Sequence, residues 1–336
     1  MHLSQSIALL ATVAGASAFS LQDISSFAHD LRLPSIPLLK RFGGPPGQQG
    51  PPSQPSGGSS SGGSCPAVWS TISTELTSMF LSNGQCNDDA RAAIRASFHD
   101  CASWDQSEGE HGGCDGSLIL AKEYEAKENA GLQGIALKLS DLANKHNVGV
   151  ADIIAFAGSH ATATCPLGPR VQTFVGRKDS STPNDLSKLP DVHSPGDALY
   201  ALFQAKGFDA GELAALMGAH STSRQFTTDP SRAGAAQDDT PGVWDVKYYQ
   251  QTIDGSAPFV LESDRNLANQ AQVGPAFKSF VGAQGRWGIA YSRAMAKMQL
   301  LGVPGGSSNL IDCTSALPRG TFGRDVRAAP IDERLR

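Results

Sequence analysis

Arg95 and His99 stand four residues apart in Arg95-Ala-Ser-Phe98-His99-Asp100-Cys101, so a helix stacks them on one face with Phe98 beside them. A base and a fixed cation then share one pocket, and the rest of the fold has to supply its other wall. Asp100 points elsewhere. With Gly113, Asp115 and Ser117 of Gly-Gly-Cys-Asp-Gly-Ser it offers the closely spaced oxygens that a hard cation such as calcium takes. An imidazole, a guanidinium and an oxygen-rich ion site so near one another point to chemistry held in place by a metal.

The surrounding pattern is helical. Val68, Ile72, Leu76 and Phe80 recur at helical spacing, and Asn87-Asp88-Asp89 makes an acidic start for the helix that carries Arg95 and His99. Further helices are predicted over 132–146, 151–158, 197–206, 210–220 and 275–301, with Asp209 and Glu212 as a capping pair for the one ending at His220. Val171 to Val175 is the only strand candidate. The chain is therefore expected to be mainly α.

The 336 residues are 40% apolar and 18% charged with a net charge of -5, which suits a large core or two lobes and leaves no basic field for nucleic acid. No apolar run reaches the roughly 18 residues of a membrane helix. Nucleic acid and membrane are excluded as expected partners. Residues 1–18 read as a secretory signal, with a short apolar core from Ile7 to Val13 and a small-residue cleavage site at Ala16-Ser17-Ala18. Residues 19–64 read as a pro-segment and linker: Lys40-Arg41 is a dibasic processing site, and 43–63 is almost all Gly, Pro, Ser and Gln. Six cysteines in a secreted chain imply three disulfides, whose pairing stays open at this level.

Two further stretches answer the first. His220 ends the apolar Leu216-Met217-Gly218-Ala219-His220-Ser221, where burial suits a metal ligand. Asp238-Asp239-Thr240-Pro241-Gly242-Val243-Trp244-Asp245 supplies a second oxygen cage that could close with Ser221. Alone, each has an ordinary reading, as a core histidine and a solvated acidic loop.

Together these residues resemble the secreted haem peroxidases of the plant, fungal and bacterial superfamily, closest to the fungal class II group and to ascomycete-type members. The resemblance runs from about Cys65 to Cys313. It rests on Arg95 to Asp100, Gly113 to Ser117, Glu128-Asn129, Gly176 to Asp179, Ala219 to Ser221, Asp238 to Asp245 and Ser263-Asp264, which agree in order and spacing. It implies a two-lobed helical fold with haem between the lobes, a haem peroxidase domain over 65–313 and a C-terminal tail over 314–336.

By that resemblance His220 would be the axial ligand of a haem b iron, and Asp264 would take its other ring proton and make the imidazole more basic. The haem would be non-covalent, because no Cys-x-x-Cys-His is present. On the opposite face His99 would take a proton from hydrogen peroxide and return it to the departing oxygen, which needs a neutral imidazole. Arg95 would stabilise the charge that builds as the O–O bond breaks. Asn129 would fix the His99 tautomer, with Glu123 behind it. Phe98 would wall the pocket, and Pro169 matches a haem-edge position where small aromatic substrates dock. One calcium would take Asp100, the Gly113 carbonyl, Asp115 and Ser117; a second would take Ser221, Asp238, Thr240, the Val243 carbonyl and Asp245. The resemblance also implies disulfides Cys65 to Cys313, Cys86 to Cys165 and Cys101 to Cys114.

Some positions depart from the pattern. The acidic positions used by manganese-oxidising members fall on Asp88, Ala92 and Phe226, so a manganese site is not expected. The surface tryptophan of some lignin-attacking relatives falls on Ala215, and Trp69, Trp104, Trp244 and Trp287 read as packing. The position beside the proximal histidine, aromatic in most secreted relatives, is Gln237. His111, His146, His160 and His193 read as structural. The expected protein is an extracellular, monomeric haem peroxidase that reduces hydrogen peroxide and oxidises phenolic or other small aromatic donors by one-electron steps. The rival classes are a calcium-binding structural protein and a metal-dependent hydrolase using His99 and Asp100; haem content separates the first, bound zinc the second.

Overall fold

The computed structural model describes residues 63–320. The expected signal segment, the processing site and most of the C-terminal tail lie outside the described residues. Helices dominate what is described, and they group into two lobes.

In the first lobe α1 (Val68–Phe80) buries Trp69, Ile72, Leu76 and Phe80 along one stripe. At the start of α2 (Asp88–Ala102) the Asn87 side chain accepts from Ala90 N at 3.1 Å, and Asp88 and Asp89 fill the first turn. A short α3 (Ser117–Leu120) and then α4 (Gln133–His146) lead to α5 (Val150–Thr164), which packs along α2. Gly158 permits that contact, since a Cβ there would lie 2.4 Å from Ser97 Cβ. The sequence pattern ends α5 at 158, yet it runs six residues further. Every side chain of α5 is buried, and a helix apolar on all sides has no stripe from which to read its end. The Gly176-to-Asp179 segment fastens this helix: Asp179 accepts from Val150 N and Ala151 N at 2.8 Å each, and buried Arg177 pairs with Asp152 at 3.1 Å.

The second lobe holds α6 (Gly196–Ala205), α7 (Ala210–Met217), α8 (Lys247–Asp254), α9 (Glu262–Asn269), α10 (Val273–Lys278) and α11 (Gln284–Met298). Here α7 packs on α10 and α11, α9 packs on α6, α8 and α10, and α11 also touches α2 of the first lobe. Asp209 and Glu212 form both halves of a capping box on α7. The helix stops at Met217, and His220 sits in a 3-10 turn over Gly218–Thr222, where the sequence reading had a continuous helix. The helix predicted over 275–301 is two. Ser279 Oγ donates back to the Ala276 carbonyl at 2.6 Å, and turn bonds replace the helical ladder as far as Ala283. Neither α8 nor α9 is among the helices predicted from the sequence.

Three two-stranded antiparallel pairs complete the described residues: β1 (Leu81–Ser82) with β2 (Gln85–Cys86), β3 (Phe174–Val175) with β6 (Ile311–Asp312), and β4 (Arg224–Gln225) with β5 (Ala235–Ala236). Thus only the end of Val171 to Val175 forms a strand. Disulfides join Cys65 to Cys313, Cys86 to Cys165 and Cys101 to Cys114. The fold continues past Cys313: Leu317 is buried, and Arg170 donates to the Thr314 and Leu317 carbonyls. Among the described residues no helix is long and apolar enough to cross a membrane.

Candidate active site

On α2, Arg95 Nε–H donates to His99 Nε2 at 3.1 Å. That nitrogen is therefore the acceptor, and the ring proton lies on Nδ1, which faces Asn129 Oδ1 at 2.7 Å. Asn129 is fully buried and its Nδ2 donates to the Glu123 backbone carbonyl at 2.9 Å, which sets the amide's orientation and through it the imidazole tautomer. Glu123 thus supports Asn129 through its main chain, while its carboxylate accepts from Asn184 N at 2.6 Å. Burial, then the Arg95 charge, push the His99 pKa down to about 3 against the pull of the Asn129 bond. His99 is a neutral base well below neutral pH. Burial lowers Arg95 to about 10, so it stays cationic, and its Nη atoms donate to the carbonyls of Ala130 at 2.8 Å and Glu128 at 3.3 Å. Phe98 stands edge-on to His99 with centroids 5.5 Å apart and is backed by Phe203 at 6.3 Å.

In the second lobe His220 Nδ1 faces the Asp264 oxygens at 2.9 and 3.1 Å, and Asp264 is buried. Burial lowers the His220 pKa, but the Asp264 charge and hydrogen bond outweigh it and raise the value overall. Arg95, on the other lobe, also lowers it, so one guanidinium charge acts on both imidazoles. Gln237, buried, donates from Nε2 to Asp264 Oδ2 at 3.4 Å. An aromatic ring does stand beside His220, but it is Tyr248 of α8, edge-on with centroids 5.9 Å apart.

Each histidine-bearing segment runs into a knot of oxygens. Asp100 accepts from Gly116 N at 3.1 Å and Leu118 N at 3.2 Å, yet burial and the nearby Asp115 raise its pKa well above the usual range. Ser117 Oγ and the Gly113 carbonyl lie together on Asn184 Nδ2, at 2.9 and 3.4 Å. Beside His220, Ser221 Oγ and Asp238 Oδ2 are buried without a hydrogen-bond partner. Thr240 Oγ1 donates to Asp245 at 2.9 Å, and burial, with Asp245 and Asp239, pushes Asp238 up to about 7. Buried acceptors and raised carboxylates are what an oxygen-seeking ion would neutralise. Among the described residues no group of three or more His, Cys, Asp or Glu side chains could hold a metal, so carbonyls and hydroxyls would have to complete either site.

The peroxidase family model matches residues 72–283. A low-redox potential peroxidase of Taiwanofungus camphoratus is 30% identical over 270 residues, 74% of this chain and 77% of that protein. The chain belongs to the peroxidase family. A peroxidase of Arthromyces ramosus is 28% identical over 316 residues, 86% of this chain and 84% of its own. Manganese peroxidase 3 of Phlebia radiata is 27% identical over 268 residues, covering 72% and 74%. These relatives set this peroxidase with the fungal class II group.

Other marked positions of this peroxidase make contacts of their own. Asp88 is tied to Arg91 at 2.6 Å and Phe226 is exposed. Pro169 is buried in the segment after α5. His160 lies between Thr77 at 3.2 Å and Thr164 at 3.1 Å, His146 meets Glu75, and His193 meets Glu262. The sequence reading missed the Ala130 and Glu128 carbonyls that hold Arg95, because backbone acceptors carry no side-chain signal. It missed Tyr248 because α8 was not foreseen.

Proposed function

We propose that this member of the family is an extracellular haem peroxidase that reduces hydrogen peroxide to water and oxidises phenolic or other small aromatic donors one electron at a time. One observation carries the reading: two imidazoles from separate lobes each have Nδ1 engaged by a side-chain oxygen, and the Arg95 charge acts on both. That donor set fits a haem. His220 offers Nε2 as the iron ligand with Asp264 behind it, and among the described residues its hydrogen bonds are made through Nδ1. The haem would be non-covalent and would supply the two-electron redox chemistry.

The chain's own residues divide the rest of the work. His99 Nε2 accepts a proton from peroxide and later delivers it to the leaving oxygen, which its depressed pKa allows at any pH above about 3. Arg95 sets a fixed positive charge beside the breaking O–O bond. Asn129 keeps the accepting lone pair on Nε2, and Phe98 limits what else enters. Asp264 holds the proton of His220 and strengthens its donation. Two calcium ions would fill the oxygen knots around Asp100, Gly113, Asp115 and Ser117 and around Ser221, Asp238, Thr240, Val243 and Asp245. Each would pin one histidine. Pro169 would line the donor's approach. The leader-like first eighteen residues and three disulfides support secretion.

An ultraviolet-visible spectrum of the purified protein before and after one equivalent of hydrogen peroxide tests this. A Soret band that shifts with peroxide and recovers when a phenol is added is expected. A Soret band indifferent to peroxide, or none after haem is supplied, rules the reading out.

A further inference from the structure

Arg95 and His99 are held on the pocket side by carbonyls and by Asn129, while the back of their helix is held from the other lobe. Ser97 lies about 200° round α2 from either residue and is fully buried against α5, where Gly158 lets the two helices close. Its hydroxyl accepts from Gln299 Nε2 at 3.1 Å. Gln299 ends α11 and is 1% exposed. The same Nε2 meets the Ala155 carbonyl and Ser159 Oγ of α5 at 2.9 Å each, and Gln299 Oε1 accepts from Ser159 Oγ at 3.1 Å. The main-chain carbonyl of Gln299 accepts from Arg177 Nη2 at 2.7 Å and Nε at 3.3 Å, and Arg177 is the buried partner of Asp152 on α5.

Packing by itself calls for an apolar residue at this place. A carboxamide buried among helices carries a desolvation cost that methionine would avoid, unless its polar atoms find partners. Here they do, and the partners fix the amide. Only Nε2 suits the Ala155 carbonyl, and with Ser159 Oγ–H on Oε1 the second Nε2 hydrogen is left for Ser97. A satisfied polar network in a low-dielectric core rigidifies one arrangement of the groups that share it. The direction of Arg95 and His99 depends on how α2 is rotated about its axis, and a hydroxyl half a turn away from both controls that rotation. Without its donor, Ser97 Oγ–H would turn to the carbonyl four residues back, a bond that bends helices.

We propose that Gln299 is a positioning residue for the reaction with peroxide: through Ser97 it fixes the rotation of α2 and so aims Arg95 and His99 from the lobe that carries His220. This rests on the haem peroxidase reading. Gln299 acts through the helix and takes no part in the proton transfer itself. The helix that Gln299 ends, α11, also packs along α7, which leads into the turn of His220. One element therefore relates the base on one lobe to the imidazole on the other.

The test compares the haem-loaded enzyme with its Gln299→Met variant, in which a side chain of similar length has lost the amide. Stopped-flow measurement gives the rate constant per haem for reaction with hydrogen peroxide. Infrared spectroscopy of the reduced enzyme under carbon monoxide gives the C–O stretch, which falls when a donor such as Arg95 points at the bound gas. Misplacing a reacting group by about 1 Å costs on the order of a hundredfold, so the rate constant should fall about ten- to a hundredfold, with the C–O band moved to higher frequency. A role in stability alone would lower the melting temperature and leave both readouts where they are, and that result overturns the proposal. Ser97→Ala removes only the acceptor on α2 and should move both readouts the same way by a smaller factor. It decides the matter if Gln299→Met does not bind haem, and unchanged readouts in Ser97→Ala overturn the positioning role alone. An unsubstituted enzyme whose haem spectrum peroxide does not shift overturns the peroxidase reading and this role with it.

Discussion

Replacing Asn129 with alanine removes the acceptor of His99 Nδ1–H at 2.7 Å and leaves the ring in place. A neutral hydrogen bond of this kind is worth about 0.5–1.5 kcal/mol net, and that energy adds to the Arg95 bond in favouring the tautomer with its lone pair on Nε2. At about 1.36 kcal/mol per tenfold, the rate constant for reaction with peroxide should fall roughly two- to thirteenfold, with haem still bound. The acid limb moves as well. Burial and Arg95 hold the His99 pKa near about 3, and Asn129 pulls against them, so alanine lowers it further. Aspartate at the same position does the opposite: its charge favours the imidazolium and carries the limb up toward neutral pH. Stopped-flow measurement of the peroxide reaction across pH reads both effects. An unchanged rate in the alanine variant, with an acid limb still near about 3 in the aspartate variant, would show that His99 is not the base.

Three further outcomes follow from the geometry. Chelating calcium should lower the melting temperature, and more at about pH 7 than at about pH 5. Asp238, pushed up to about 7, keeps through that window a proton that the unfolded chain has released, so the ion-free protein loses stability as pH rises and calcium restores it; equal melting curves with and without the ion would refute both sites. Gln237→Leu removes a long donor contact to Asp264, leaving that carboxylate freer to strengthen His220, and should lower the haem midpoint potential by about 20 mV if the contact is worth about 0.5 kcal/mol. A rise in potential would reverse that account. Cys65→Ser with Cys313→Ser opens a link across 248 residues and should cost about 5–6 kcal/mol of stability on chain entropy. Urea denaturation reads this, and a cost below about 1 kcal/mol would mean that the ends are held by contacts such as Arg170 to Leu317.

Much of this protein is legible in its sequence because the signals are local. The stripe Val68, Ile72, Leu76 and Phe80, the caps at Asn87 and Asp209, and the four-residue step from Arg95 to His99 all follow from helical periodicity and end-capping, which act within a few residues. The spacing of Ser221 and the carboxylates of 238–245 is legible for the same reason. Tertiary contact alone decides the rest. α8 and α9 are amphipathic but only 8 residues long each and mostly polar, so their stripe never repeats, and they form where Tyr248, Tyr249 and Leu267 find a core waiting for them. α5 outruns its pattern because burial on every side erases periodicity. The Arg95 side chain is aimed by carbonyls 33 and 35 residues away, and the pKa of His99 is set first by desolvation in the packed site and then by the Arg95 charge. Which groups share a low-dielectric space depends on how the helices pack, and periodicity along the chain carries no record of that.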